Sequence, residues 1–468
     1  MTRTPGKAKQ LFLLEFNELC PALLEQFMAA GKLPSFRRLY YSSTVYTTDA
    51  GEPPPRLEPW VQWPTVHSGL PFEAHGAFHL GEGRKIKAKL LAELLSEAGV
   101  RVGVMGSMNT NYTTLNGYFV PDPWDVDAAP QPYWLNPFFS TVSQQVQDSS
   151  KAEGLSKRQL LRFGTFMLRR GLSRSTIKST LAQLLGERRD AGIKWRRASL
   201  LEEIQYDLFR YLDRVIRPQF ATFFCNSTAH YQHYYWRNMH PEIFVVPPDA
   251  NDHPSLRTAI EYGYQRMDSL IGRFIADFPE ATLVLCTALS QQPWTETTKC
   301  TYRPSDFSEL LKFAAVSTTR VEVKPVMAEE FHLVFANPEL ASKAKDSLAG
   351  LKLGEKQLLR LELNQCALFV GCAVNDPLAM QQRVARKDGQ SKAFREMFYM
   401  VHSMRSGRHH PDGVLWIRDG KHSVRKAKVR LTDVAPTILE RFGVAKPDYM
   451  SGESIDRQGA MALEPAGV

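Results

Sequence analysis

The chain has 468 residues, of which 43% are hydrophobic and 23% charged, a composition typical of a globular protein with room for two to four domains. No window approaches 18 uninterrupted apolar residues, and the apolar run Leu11–Leu14 is short, so we expect neither a membrane-spanning helix nor a signal peptide. The six cysteines show no C-x-x-C spacing. They favour free thiols and a cytoplasmic location.

The net charge of +9 is concentrated in one segment of the chain. Residues 151–200 contain 13 Lys and Arg against 3 Asp and Glu, so the remainder of the chain is close to neutral. Three interpretations of this segment stay open: a solvated basic helical face, a surface for anionic polymers such as phosphorylated glycans or nucleic acid, or docking on anionic lipid headgroups. The absence of any named nucleic-acid motif counts against nucleic acid.

Apolar runs typical of buried strands alternate with segments of helical spacing, which favours a parallel sheet covered by helices. The predicted strands are Gln10–Phe16, Val100–Met105, Phe220–Cys225, Ala281–Thr287 and Gly413–Ile417, and the predicted helices are Pro21–Gly31, Leu90–Gly99, Ser255–Phe278 and Thr432–Gly443. In open α/β sheets, ligands bind beyond the carboxyl ends of the strands. Because Glu15, Asn226 and the pair Leu289/Ser290 all lie at or just past such ends, we expect them to converge on one site.

Two insertions interrupt this pattern. Residues 131–218 are polar, basic and mostly helical in spacing, and residues 329–374 contain strand-like runs (Phe331–Ala336 and Ala367–Val374) around the helical segment Pro338–Ala349. We therefore divide the chain into a core of residues 1–130, 219–328 and 375–468, a basic helical insertion at 131–218, and a small α+β insertion at 329–374.

Four segments, in order along the chain, carry a family resemblance. They are LLEFNELCPALLEQFMAAGKLPSFRRL, WVQWPTVHSGLPFEAHGAF, NSTAH, and the closing set HHPDGVLWI, LTDVAPTILERFGV and SGESI. Together they resemble the alkaline phosphatase superfamily, in particular its type I phosphodiesterase/nucleotide pyrophosphatase branch. The resemblance implies an α/β fold, a three-layer α/β/α sandwich with a mostly parallel central sheet, and phosphoryl transfer assisted by two metal ions.

The first metal site of that family corresponds here to Asn226, His230 and His409. Two of these side chains are imidazoles that bind divalent cations well, whereas the neutral amide of Asn226 is a weak ligand. The second site corresponds to Glu15, a nucleophile, and the pair Leu289 and Ser290. Since neither member of that pair can hold a divalent cation, we expect one Zn²⁺ or Mn²⁺ at most.

The expected nucleophile is also absent. One alignment register places Pro59 at the attacking position and the other places Gln62 there, and neither side chain has a hydroxyl. Thr65 is the nearest hydroxyl, further along the same helix. Glu58 flanks the vacant position and is a candidate replacement acid or base, as is Glu15 at its strand end. We therefore predict Glu15, Glu58 and Thr65 as the catalytic candidates.

Four further side chains are predicted to contact substrate: Asn17, Gln62, His233 and His410. An aromatic packing cluster around the histidines of TAHYQHYYW is the alternative for His233. Two functional hypotheses follow. The first is a metal-dependent hydrolase or transferase acting on a phosphate ester of a small molecule or glycan, with altered chemistry. The second is a non-catalytic protein that binds a phosphorylated ligand or scaffolds glycan assembly.

Overall fold

The computed structural model describes residues 10–125, 127–147, 156–298, 300–325, 330–402 and 405–457. Its strands are β1 (Leu11–Phe16), β2 (Ser43–Asp49), β3 (Val102–Met105), β4 (Gly117–Val120), β5 (Phe220–Cys225), β6 (Thr282–Cys286), β7 (Ser290–Pro293), β8 (Thr301–Pro304), β9 (Val321–Pro325), β10 (Phe331–Phe335), β11 (Lys352–Leu353), β12 (Lys356–Gln357), β13 (Leu359–Asn364), β14 (Ala367–Cys372), β15 (Arg383–Ala385), β16 (Ser391–Ala393), β17 (Phe398–His402), β18 (Gly407–His410), β19 (Asp412–Arg418), β20 (Ser423–Val424) and β21 (Val429–Arg430).

The α-helices are α1 (Pro21–Ala29), α2 (Pro34–Tyr40), α3 (Pro59–Ser68), α4 (Phe72–His75), α5 (Leu91–Glu97), α6 (Asn136–Gln147), α7 (Lys157–Arg169), α8 (Arg174–Arg189), α9 (Leu200–Ile216), α10 (Ser227–Met239), α11 (Ala259–Asp277), α12 (Phe307–Phe313), α13 (Pro338–Leu348), α14 (Phe394–Met397) and α15 (Val434–Arg441). Among the described residues, no helix is both long and apolar enough to cross a lipid bilayer.

The central sheet has the strand order β20-β2-β19-β6-β1-β5-β3-β4, with β21 also paired to β2. Only β19 runs antiparallel to its neighbours β2 and β6, while the other pairs are parallel. The predicted mostly parallel sheet is therefore confirmed, in a mixed form. Because β1, β5 and β6 are adjacent and parallel, their carboxyl ends meet at one edge.

Both faces of the sheet are covered, which explains why β1 is apolar along nearly its whole length. Phe12, Leu14 and Phe16 join one hydrophobic cluster with helices α1, α2 and α11, whereas Leu11 and Leu13 join a second cluster with α3, α5 and α15. The predicted three layers are thus present. Glu15 belongs to the second face, where it meets α3.

The two insertions have the secondary structure that the sequence predicts. Helices α6, α7, α8 and α9, together with two 3₁₀-helices, make up most of the described part of residues 131–218, while residues 148–155 lie outside the described residues. The elements β10, α13 and β14 match the predicted α+β pattern, but their core is wider, since a third hydrophobic cluster extends from Cys300 to Phe398. We call the region from β8 to β17 the small unit; the predicted boundaries 329–374 stay a prediction.

Candidate functional site

Glu18 lies in the turn after β1, at the carboxyl edge of the sheet. Its backbone φ of 62° is in the left-handed region, which non-glycine residues rarely adopt and which often marks a functional position. The carboxylate is buried, and Oε1 accepts a hydrogen bond of 2.9 Å from Asn17 Nδ2. Oε2 accepts another from Gln291 Nε2 on β7. The turn therefore fixes a buried acid where β1 ends.

Helix α10 brings His233 to this acid. The helix follows the carboxyl end of β5, and about 1.7 turns after Ser227 His233 Nε2 lies 3.2 Å from Glu18 Oε2. The start of α10 is fixed by Glu202 of α9, whose Oε1 accepts from the backbone N–H groups of Asn226 (3.0 Å) and Ser227 (2.7 Å). A carboxylate at a helix N-terminus satisfies otherwise unpaired donors there.

Strand β18 contributes His409 from far along the chain. It pairs antiparallel with β7, so that His409 lies opposite Gln291 and His410 lies opposite Ser290. Successive side chains of a strand point to opposite faces. His409 accordingly faces Glu18, with Nε2 3.5 Å from Oε2, whereas the Nδ1 atom of His410 accepts from the backbone N–H of Asp412 at 3.1 Å.

Glu58 completes the group from the opposite side. It is the residue immediately before α3, and its Oε2 lies 3.3 Å from His409 Nδ1. With 29% of its side chain exposed, Glu58 is accessible from solvent, while the Glu18 side chain is only 2% exposed. His409 is therefore held between a buried acid at Nε2 and an accessible acid at Nδ1.

Charge within the cluster is strongly coupled. Burial disfavours the charge on Glu18, but the attraction of His409 and His233 outweighs it and lowers the pKa of Glu18. Burial likewise disfavours the charge on His409, yet Glu18 and Glu58 raise its pKa to about 9. For His233, burial prevails over the attraction of Glu18 and lowers the pKa. One anionic acid thus lies beside one cationic and one neutral imidazole.

Glu18, His233 and His409 meet the requirements of a metal site. One ligand atom from each lies within 4.8 Å of the others. Two imidazoles and a carboxylate suit Zn²⁺ and other first-row divalent ions, and three protein ligands leave a coordination position open, as in catalytic sites. Neutral His233 and ionised Glu18 are already in the protonation states that ligands need, while His409 would release a proton on binding.

The sequence-predicted metal residues lie partly elsewhere. His409 is in the cluster, and Asn226 Oδ1 accepts a hydrogen bond of 2.8 Å from Asn17 Nδ2, beside Glu18. His230, three residues before His233 on α10, has its ring centroid 5.1 Å from that of Tyr234 and is not a member of the Glu18–His233–His409 group. Residues three apart on a helix are rotated by roughly 60° relative to each other. The structure therefore brings His233, not His230, to the acid.

Glu15, one of the predicted bases, is enclosed beneath α3. Its side chain is 0% exposed, and Oε1 lies 2.8 Å from Nε2 of the equally buried His67. One turn earlier on the same helix, Trp63 Nε1 donates to Asn17 Oδ1 at 2.9 Å. Two polar contacts therefore align α3 with the sheet. They are the contact between His67 and Glu15 and the hydrogen bond between Trp63 and Asn17.

The other predicted residues of α3 are buried as well. Gln62 Nε2 donates to the backbone oxygen of Arg56 at 3.0 Å, and Thr65 Oγ1 lies 3.1 Å from His75 Nε2. Burial lowers the pKa of His75 to about 4, so this imidazole is neutral. Their predicted substrate and catalytic roles stay predictions.

Leu289 and Ser290, the residues at the position of the family's second metal site, make structural contacts. Leu289 is fully buried in the second hydrophobic cluster, and Ser290 Oγ donates to the backbone oxygen of Asp412. The next residue, Gln291, points its amide at Glu18 instead. Sequence reasoning did not identify Glu18 or Gln291. Their positions were the available signal: Glu18 lies just past the end of β1 and Gln291 directly follows Leu289 and Ser290, near the carboxyl ends of strands where α/β sheets bind ligands.

Comparisons with solved structures give distant similarities of overall fold. Human ectonucleotide pyrophosphatase/phosphodiesterase 5 is 8% identical with a TM-score of 0.40 and covers 95% of this chain and 97% of its own. Phosphonoacetate hydrolase from Sinorhizobium meliloti, in complex with phosphonoformate, is 10% identical with a TM-score of 0.36 and covers 92% and 94%. A variant of alkaline phosphatase PafA is 10% identical with a TM-score of 0.46 and covers 97% and 99%.

No protein-family model and no curated protein matches this chain. Because every one of these TM-scores lies below 0.5, the role of each residue depends on the geometry of its own surroundings. That geometry is a buried Glu/His/His group at the carboxyl edge of a mixed, mostly parallel sheet.

Proposed function

We propose that this chain is a metal-dependent hydrolase or transferase acting on a phosphate ester of the phosphodiester type. The observation that carries the proposal is the Glu18–His233–His409 group, whose ligand atoms lie within 4.8 Å of one another where β1 and β5 end. We assign one divalent cation, Zn²⁺ or Mn²⁺, to this group. Because Leu289 and Ser290 cannot ligate a second metal ion, we propose that the chemistry differs from that of two-metal enzymes.

The contact between Glu58 and His409 supports this assignment. Once His409 has released the proton of Nε2, the remaining proton on Nδ1 points to Glu58 and the lone pair of Nε2 points towards Glu18. Histidines that bind metals commonly donate their other ring N–H to a carboxylate, which fixes the tautomer and raises the basicity of the ligating nitrogen. Glu58 therefore has a positioning role: it orients the imidazole of His409 for metal binding.

A cation bound here would polarise a phosphoryl oxygen and lower the pKa of a bound water. Proton transfer to or from the attacking water or acceptor hydroxyl falls to Glu58, since it is partly exposed and Glu15 is enclosed. Neither Pro59 nor Gln62 supplies a nucleophilic oxygen. We therefore infer direct attack rather than a covalent phospho-enzyme.

The test compares two histidines on one helix. Protein purified without chelator should contain one equivalent of a divalent metal and hydrolyse members of a phosphomonoester and phosphodiester panel. His233→Ala should lose both the metal and turnover, because it removes one of three ligands, whereas His230→Ala should retain the metal. An exposed histidine substituted in the same way, His422→Ala, controls for nonspecific effects.

Three results contradict parts of the proposal. Metal-free protein without turnover refutes it and leaves the alternative, a non-catalytic protein that binds a phosphorylated ligand. Metal lost in His230→Ala but kept in His233→Ala transfers the site to the residues that the family motif indicates. Bound metal without turnover on any ester refutes the enzymatic function while retaining the metal site.

A further inference from the structure

Helices α7 and α8 expose leucines rather than burying them. In α7, Phe166 and Met167 enter the core, but Leu161 and Leu168 on the opposite side are 72% and 64% exposed. These two leucines are seven residues apart and so lie on one face of the helix. A surface helix usually buries its apolar side chains against the protein and exposes polar ones to solvent. In α7 both sides carry apolar groups.

Helix α8 repeats this arrangement. Leu181, Leu184 and Leu185 are exposed, at helical spacings of three and four residues. Arg174 and Arg188 are each seven residues from Leu181 and are also exposed, so they flank the leucines on the same side of the helix. Exposed leucines between cations on consecutive helices are hard to explain as a merely solvated basic surface.

The arginines of α7 border a groove. The groove has a volume of about 680 Å³ and is lined by Arg158, Arg162, Arg169, Arg170, Leu161 and Phe166, among others. Among the described residues, no carboxylate pairs with Arg158, Arg162 or Arg169. Four guanidinium groups around an open groove form a site of positive charge that would attract an anionic partner.

We propose that α7 and α8 dock this protein on a membrane surface that contains anionic lipids. We call the residues involved, Arg158, Leu161, Arg162 and Leu168 of α7 with Lys178, Leu181, Leu184 and Leu185 of α8, the leucine–arginine face. Its leucines enter the boundary between headgroups and acyl chains, and its cations bind lipid phosphates. Adsorption of this kind places the helices in the plane of the membrane without crossing it.

The leucines decide between a lipid surface and an anionic polymer. Both partners would attract the arginines, but a polysaccharide or nucleic-acid backbone offers no apolar interior for Leu161 and Leu168. A membrane surface provides both phosphate charge for the guanidinium groups and hydrocarbon for the leucine side chains. The inference is independent of the proposed catalytic function, since the face contains none of the metal or catalytic residues.

Flotation of the full chain with vesicles tests the proposal. The protein should float with vesicles of about three parts phosphatidylcholine to one part phosphatidylglycerol, and much less with phosphatidylcholine alone or at high salt. The variants Arg158→Gln/Arg162→Gln and Leu161→Ser/Leu168→Ser should each weaken partitioning about tenfold or more. The matched exposed controls, Arg395→Gln and Leu378→Ser, should partition as the unmodified chain does.

Circular dichroism and thermal melting of each variant establish that it remains folded. No flotation with anionic vesicles overturns the proposal, as does flotation that neither double variant weakens. If only the arginine variant loses binding, and heparin or RNA is bound as tightly as vesicles, the face is a polyanion site and the membrane proposal is wrong. If capture by vesicles requires a second protein, the face is a protein interface and the proposal is also wrong.

Discussion

Glu202 provides a quantitative test of how α10, and with it His233, is held in place. This buried side chain of α9 accepts three hydrogen bonds: two at Oε1 from backbone N–H groups of Asn226 and Ser227, and one of 2.6 Å at Oε2 from Ser227 Oγ. Burial outweighs these hydrogen bonds and raises its pKa to about 7. Glu202→Gln preserves the geometry, because the amide oxygen can accept from both N–H groups while the NH₂ donates to the hydroxyl.

The magnitude follows from linkage between protonation and folding. The ordinary pKa of Glu202 is 4.5 and the pKa in the folded protein is about 7. Between these pH values the folded state keeps a proton that the unfolded state has lost, so the free energy of unfolding decreases as the pH rises. A difference of about 2.5 units corresponds to roughly 3 kcal/mol, because each unit is worth about 1.4 kcal/mol. The loss is complete above pH 7 and absent well below pH 4.5.

Urea unfolding at a series of pH values from about 4 to about 8, a range that includes both pKa values, measures this change in the free energy of unfolding. The free energy of unfolding of Glu202→Gln minus that of the unmodified chain should rise by about 3 kcal/mol across the window. Subtraction removes the contributions of other titrating groups, and Glu25→Gln, at an exposed position, controls for the change in net charge. A difference that stays constant with pH would refute the reasoning, since it would mean that folding does not shift the protonation of Glu202.

Three other substitutions test the site. Gly407→Ala places a methyl group 2.3 Å from Gln291 Oε1, so it should destabilise the protein by about 1–3 kcal/mol and weaken metal binding; urea unfolding and calorimetric metal titration that show no change would contradict this. Glu58→Ala should weaken metal binding about 10–100-fold by freeing His409, and an unchanged affinity would exclude the positioning role. Glu15→Leu should lower the free energy of unfolding by about 3 kcal/mol because it removes the carboxylate that lies 2.8 Å from the buried imidazole of His67; lost turnover without lost stability would instead identify Glu15 as a catalytic base.

The fold was predictable because long apolar runs specify strands that are covered on both faces. Phe12 and Leu14 enter one layer and Leu11 and Leu13 the other, so the run that begins at Leu11 could only be an interior strand. Helix α11 begins at Ala259 rather than Ser255, since residues 254–258 form a turn of 3₁₀-helix. Helix ends depend on local capping, which periodicity does not report.

The location of the candidate site could be predicted from the sequence, but the residues that form it could not. The carboxyl ends of β1, β5 and β6 are readable from the sequence. Glu18 lies in the site with its backbone in a left-handed conformation, which the sequence does not predict for a residue other than glycine. Likewise, the choice between His230 and His233 depends on how α10 is rotated about its axis, which Glu202 and the packing of α10 determine. The rotation of α10 about its axis depends on tertiary contacts, which the sequence pattern does not reveal.

The ribbon of β7 and β18 links the site thermodynamically to a part of the molecule that supplies no ligand. Between Pro293 and Gly407 the chain makes an excursion of about 110 residues that includes the entire small unit. Bringing together the ends of a flexible loop of that length would cost about 4 kcal/mol of chain entropy. When the small unit is folded, the two strands emerge already close, and much of that entropy has been lost beforehand. Under the proposed function, a substitution that destabilises the core of the small unit should therefore weaken metal binding at the Glu18–His233–His409 group, although it changes no ligand.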